Sequence, residues 1–280
     1  QRLNLRRRAS ISELTGEALQ NLLQIDGKFL TTMRLLMIAP GKLSHEFYIG
    51  RRVRYISPVT LFMLVAGLMF LLVEWNASQP VQSEDVITRN KSSITVNLMP
   101  GFNLNFVQRD KNLMQLSPEE LDQYLQEELK VKRGDFGYFI SERALTLMQK
   151  NKVHEFRQSL AAMTYRSIAL LIPMMAFLIV IFHYRQALRF ADAAVYCLHL
   201  HCVFFLVGIL LLVLPNSAMR DYTMLVLALP LVAYSARSLQ IAFGNSWYIA
   251  WFKAIVILLL HGSAVVVLTS LLSLWIIVSI

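Results

Sequence analysis

Cysteine is nearly absent. The chain holds only Cys197 and Cys202, both inside one apolar run, so it is not a disulfide-stapled secreted module. Charge is scarce as well. Only 16% of the 280 residues are Asp, Glu, Lys or Arg, against about 25% in an ordinary soluble domain. That scarcity excludes a disordered chain, which needs high charge and low hydrophobicity. There is no phosphate-cradling glycine loop, no serine nucleophile elbow and no His-Glu-x-x-His helix. No catalytic residue can therefore be named, no cofactor is expected, and the reading leans against an enzyme. The first apolar run begins only near Pro58, so a cleavable signal peptide is not expected.

What the chain has instead is apolar surface and a one-sided charge. Its hydrophobic fraction is 56% and its mean hydropathy +0.49, values that belong to a membrane protein. The formal charge is +9. Residues 1–56 carry ten Lys and Arg against four acids, including Arg51, Arg52 and Arg54. A basic segment directly before a span is the positive-inside signal of a cytoplasmic terminus. The same arginines are candidates to face anionic lipid head groups. Nucleic acid is not expected as a partner, because aromatic residues are not interleaved with the basic ones as a binding groove requires.

Periodicity divides the chain into four regions. Residues 1–57 read as cytoplasmic amphipathic helices. A capping box at Ser10-Ile11-Ser12-Glu13 opens the first, and a second runs from about Gly27 to Ile38 until Ala39-Pro40-Gly41 stops it. They could lie flat in the interface or pack on each other as a cap. Residues 58–75 form the first span. Residues 76–165 lack any spanning run. They show a hairpin pattern at 93–98 and 103–108, a helix start at Ser117-Pro118-Glu119-Glu120 continuing to about Lys132, a break at Gly134 and Gly137, and a helix from about Phe139 to Arg166. Residues 166–280 supply four more spans, near 167–183, 193–214, 222–242 and 249–280. The expected fold is an α-helical integral membrane protein: five transmembrane helices and a small α+β extracytoplasmic domain between the first two. Loop charges put the N-terminus in the cytoplasm and the C-terminus outside.

Ionisable groups within spans are costly and often functional. His199 and His201 sit about 10 and 13 Å into the third span and His261 about 12 Å into the fifth, at the helical rise of about 1.5 Å per residue. His183 ends the second span. His199 and His201 lie about 200° apart around their helix and cannot ligate one ion from a regular helix. They should therefore serve different partners, one of them at His261. Cys197 shares a face with His201, and Cys202 shares one with His199. These five residues are the candidates for a polar intramembrane site, with no metal assigned. Imidazole and thiolate would suit zinc or copper, and paired axial imidazoles would suit haem. Neutral imidazoles bonded between helices would instead serve as structural glue. Arg189 and Asp192 read as a local ion pair.

Three stretches resemble one family. Pro40-Gly41-Lys42 through Glu46-Phe47-Tyr48-Ile49-Gly50-Arg51-Arg52-Val53-Arg54-Tyr55-Ile56-Ser57-Pro58, entering a first span, is similar to the signature of the bacterial membrane proteins called domain of unknown function 3667. Tyr196 to Phe205, with its His-x-His, and Phe243-Gly244-Asn245-Ser246-Trp247 resemble later stretches of the same family. The resemblance implies a multi-pass protein of the bacterial inner membrane with no assigned activity. Members often begin with a zinc ribbon of paired Cys-x-x-Cys motifs. This sequence has none, so zinc binding of that kind does not carry over. The leading functional reading is a non-enzymatic accessory or scaffold subunit, in contact with the lipid bilayer and with another envelope or membrane protein. The alternatives are a small transporter or lipid-handling protein with a histidine-containing pocket, and a metal or haem redox protein.

Overall fold

The computed structural model describes residues 27–78, 87–90, 93–99, 102–107, 113, 115–150, 152–214 and 217–279. The capping box at Ser10 to Glu13 lies outside them. Helices α1 (residues 27–38) and α2 (Lys42–Tyr48) precede α3 (Pro58–Ser78). Strands β1 (Ile87–Asn90), β2 (Ser93–Met99) and β3 (Phe102–Val107) follow. Then come α4 (Pro118–Glu127), α5 (Phe136–Gln149), α6 (Val153–Phe182), α7 (Phe190–Val213), α8 (Ser217–Phe243) and α9 (Trp247–Ser279).

Among the described residues, four helices are long and apolar enough to cross a membrane: Pro58–Trp75, Phe190–Val213, Tyr222–Phe243 and Trp247–Ser279. This is one fewer than expected. The expected second span falls in α6, where Leu171–Phe182 counts among the described residues only as a shorter apolar stretch. Helix α6 runs unbroken for 30 residues through the expected start of that span. Large apolar side chains stay exposed along the spans, among them Leu225 at 74% and Leu259 at 67%. In water such a surface would drive association. In hydrocarbon it costs nothing. Pro173 and Pro230 sit inside α6 and α8, as membrane helices tolerate.

The chain divides into two compact units, Gln1–Met69 with Ile172–His261, and Phe70–Leu171 with Gly262–Ile280. The second unit holds the sheet, which is antiparallel in the order β1-β2-β3. The hairpin β2–β3 pairs Ile94 with Phe106 and Val96 with Leu104. The third strand, β1, had no signal, since four residues are too few to show an alternation. Helix α4 begins at the expected start, where Ser117 and Glu120 form a capping box. Ser117 Oγ accepts from the Glu120 N–H at 3.3 Å, and Glu120 Oε2 accepts from the Ser117 N–H at 2.9 Å. It stops short of Lys132, because Lys130 takes a left-handed φ of 52° and Val131 N–H bonds back to the Leu125 carbonyl, a helix-ending pattern. Gly137 lies inside α5 rather than breaking it. The expected break does occur at Gly134, at a φ of 99° between α4 and α5, and a further one, not expected, falls between Gln149 and Val153. A buried cluster joins Leu121, Leu125, Leu145 and Phe156 to Ile276 and Ile277 near the end of α9.

Tyr138, only 7% exposed, ties α5 to α4. Its hydroxyl donates to Asp122 Oδ1 at 2.5 Å. This bond is the main reason the Tyr138 phenol is pushed up to about 12, burial being the second. The same bond, then one from Gln126, holds the Asp122 carboxyl below its ordinary value. Tyr138, raised on folding, contributes stability that is complete below its ordinary pKa of 10.0. That contribution is lost as pH rises toward about 12. Asp122, lowered on folding, contributes stability at neutral pH that is lost as pH falls through its depressed value. Tyr138→Phe is expected to return the Asp122 carboxyl toward its ordinary titration, read by carboxyl NMR. An unchanged Asp122 titration would show that the bond does not form.

Candidate functional site

In the first unit, α1 and α2 bring their buried side chains against α7 and α8. Thr32 and Leu36 face inward from α1, and Leu43 and Ser44 from α2; all four are buried. Thr32 Oγ1 donates to the Lys28 carbonyl at 2.6 Å and accepts from the Ile56 N–H at 3.1 Å, closing the segment on itself. The segment then docks on the spans. Tyr234 of α8 donates to the Leu36 carbonyl at 2.6 Å, and His45 Nδ1 reaches the Ala242 carbonyl at 3.4 Å. Gly41, at a φ of +76°, rests on the backbone of Ser238. Residues 27–57 are not a cap packed only on itself, because their inner face seats on α7 and α8. Their outer face still exposes Leu30, Ile38, Ile49 and Val53 beside Arg51, Arg52 and Arg54, which are also exposed.

His199 and His201 diverge as helix geometry requires. His199 is 2% exposed. Its Nδ1 lies 2.9 Å from Ser44 Oγ, and the Phe47 ring stands edge-on at 5.4 Å. Its Nε2 has no hydrogen-bond partner among the described residues. His201 donates from Nδ1 to the Cys197 carbonyl at 2.8 Å, which leaves Nε2 with the lone pair. The His201 ring meets His261 at 5.2 Å between centroids, nearly perpendicular. His261 is 7% exposed, and its Nδ1 is likewise unpartnered among the described residues. Cys197 and Cys202 are buried free thiols. Among the described residues, no three His, Cys, Asp or Glu side chains converge where they could hold a metal ion. Arg189 and Asp192 form their local ion pair at 2.9 Å.

The most fully bonded polar cluster was not legible as one. Asn245, in the turn between α8 and α9, reads in sequence as helix punctuation. Its Nδ2 donates to His183 Nε2 at 2.9 Å and to the Leu239 carbonyl at 3.1 Å, and its Oδ1 accepts from Lys253 Nζ at 2.9 Å. His183 Nδ1 donates to the Ile179 carbonyl at 2.8 Å, so its Nε2 is free to accept. Phe243 packs between the rings of His183 and Tyr196, at 4.9 and 5.2 Å. The one clue in the sequence is Lys253, a lone charge six residues into an apolar helix, where a charge needs a partner. Next to this cluster lies a void of about 10 Å³ among α6, α7, α8 and α9, walled by Met175, Ile179, Leu200 and Ile257. It has room for about one water molecule.

Residues 26–70 match the family model described as Protein of unknown function (DUF3667), which bears out the resemblance over that stretch. Thr32, Leu36, Gly41, Ser44 and Ile56, which seat the N-terminal segment, all fall within it. The stretches around His199 and Asn245 lie outside it. No curated protein and no solved structure matches the chain.

Proposed function

We propose that this chain is a five-span inner-membrane protein of bacteria that works by association, as an accessory or scaffold subunit rather than as an enzyme. The observation that carries this is how its buried polar groups are used. Ser44 with His199, and His183 with Asn245 and Lys253, join separate elements of the chain, as polar residues do when they glue membrane helices together. Two features support the fifth crossing and the placement of residues 76–165. Residues 167–182 contain no charged side chain, and α6, with 30 residues, is about 45 Å long, enough to span. Helix α9 has 33 residues, about 50 Å, so its end outruns a hydrocarbon layer of about 30 Å. That end carries Ile276 and Ile277 into the cluster with α4 and α5. The segment between α3 and α6 therefore belongs on the same side as the C-terminus, outside the cytoplasm, where it is the surface offered to an envelope partner.

A second reading draws on one atom. The unpartnered Nδ1 of His261 beside His201 favours a polar pocket for a small ligand or proton. Absorbance and elemental analysis of the purified chain, with His199→Phe and His201→Phe, test the association reading against a bound metal or macrocycle at these histidines. The association reading expects no Soret band and no stoichiometric zinc or copper. It also expects His199→Phe to cost about 1–2 kcal/mol in detergent, since Ser44 loses its partner. A bound metal or macrocycle that either substitution abolishes would replace it. A reporter fused after Ile280 that is active only in the cytoplasm would overturn the orientation.

A further inference from the structure

Helices α8 and α9 meet at Gly244–Ser246 and diverge around a notch of about 110 Å³. Small residues make it. Ala233 and Ala236 on α8 face Ala250 on α9, and Ala236 and Ala250 are each 1% exposed. Leucines at these positions would fill the space. Trp247 and Trp251, one helical turn apart with ring centroids at 6.0 Å, form the wall on α9. Arg237 and Gln240 line the α8 side. Arg237 Nη1 donates to Gln240 Oε1 at 2.7 Å, which holds the guanidinium at the notch and leaves its other N–H groups available. No carboxylate pairs with Arg237 among the described residues.

We propose that this notch binds the head group of an anionic glycerophospholipid, its phosphate on Arg237 and its glycerol and first acyl carbons against the alanines and indoles. Three observations select that occupant. The notch joins an anchored cation to apolar walls, matching a molecule that is anionic at one end and apolar at the other. Trp247 and Tyr248 are 55% and 80% exposed at the start of α9, where aromatic residues mark the head-group level. The same end of α8 carries the docked α2, through Ser238 and Ala242, followed by exposed Arg51, Arg52 and Arg54. These raise the local concentration of anionic lipid without shaping a site for it. The site requires only that the chain lies in a membrane, so it stands or falls independently of the association reading.

Native mass spectrometry of the full chain in mild detergent, with phosphatidylglycerol and phosphatidylethanolamine of matched acyl chains, tests the site. The wild-type chain is expected to retain one phosphatidylglycerol in preference to phosphatidylethanolamine. Arg237→Gln should weaken that retention about fivefold, the equivalent of roughly 1 kcal/mol for one basic residue near an anionic surface. Arg237→Lys should keep part of the preference. Trp251→Ala should weaken both lipids alike, and joint substitution of Arg51, Arg52 and Arg54 by Gln should leave the first lipid in place. Equal retention of the two lipids, or no loss in Arg237→Gln, would overturn the site. So would glycerol phosphate alone binding as tightly as the lipid, because the apolar walls would then contribute nothing.

Discussion

Gly41→Ala is expected to destabilise the protein by about 3 kcal/mol or more, combining left-handed backbone strain with a collision against backbone. Gly41 has a φ of +76°, and a Cβ there would run into the Ser238 carbonyl oxygen, with the Ser238 Cα and carbonyl carbon at 2.8 and 2.9 Å. All three are main-chain atoms of α8, which cannot rotate aside as a side chain can. The only relief is for α2 to lift away, which would expose Leu43 and separate Ser44 from His199. Gly50 provides the control. It also has a positive φ, +84°, but nothing lies within 4 Å of its virtual Cβ. Gly50→Ala should therefore pay only the left-handed penalty of about 1–2 kcal/mol. Thermal unfolding in mild detergent, followed by tryptophan fluorescence, compares the two. Equal midpoints would mean that α2 is not seated on α8.

Asn245→Leu should cost about 3 kcal/mol, because one substitution strands two buried or half-buried polar groups. Lys253 Nζ loses its acceptor and His183 Nε2 its donor. His183, at 1% exposure, has no route to water as a replacement. Adding Lys253→Met to Asn245→Leu should recover more than half of the loss, since it removes the more costly stranded group. Lys253→Met alone should cost less than Asn245→Leu, because Asn245 keeps two of its three bonds. A double-mutant cycle measured by the same unfolding reports the coupling. Simple additivity of the two single losses would show that Asn245 and Lys253 do not touch.

The sequence by itself determined that this is a multi-pass membrane chain, and it placed most of its helices. Long uncharged runs at 58–73 and 254–280 have no other stable solution, because a backbone in hydrocarbon must bond to itself. It also determined that His199 and His201 must part company, since two residues along a regular helix turn about 200°. Local chemistry was equally legible at Ser117, where a capping serine and Pro118 mark a helix start. It failed where distance along the chain mattered. Ser44 and His199 are 155 residues apart, and His183 and Asn245 are 62 apart, so no window contains both partners. Asn245 carries an ordinary turn signal, and only the approach of α6 and α9 makes it a junction. The division of the helices likewise depended on context. Gly137 breaks a helix in isolation but lies within α5, whose inner face the Leu121–Phe156 cluster buries. Tertiary packing decided these points because burying an apolar face outweighs the roughly 1 kcal/mol that one glycine costs a helix.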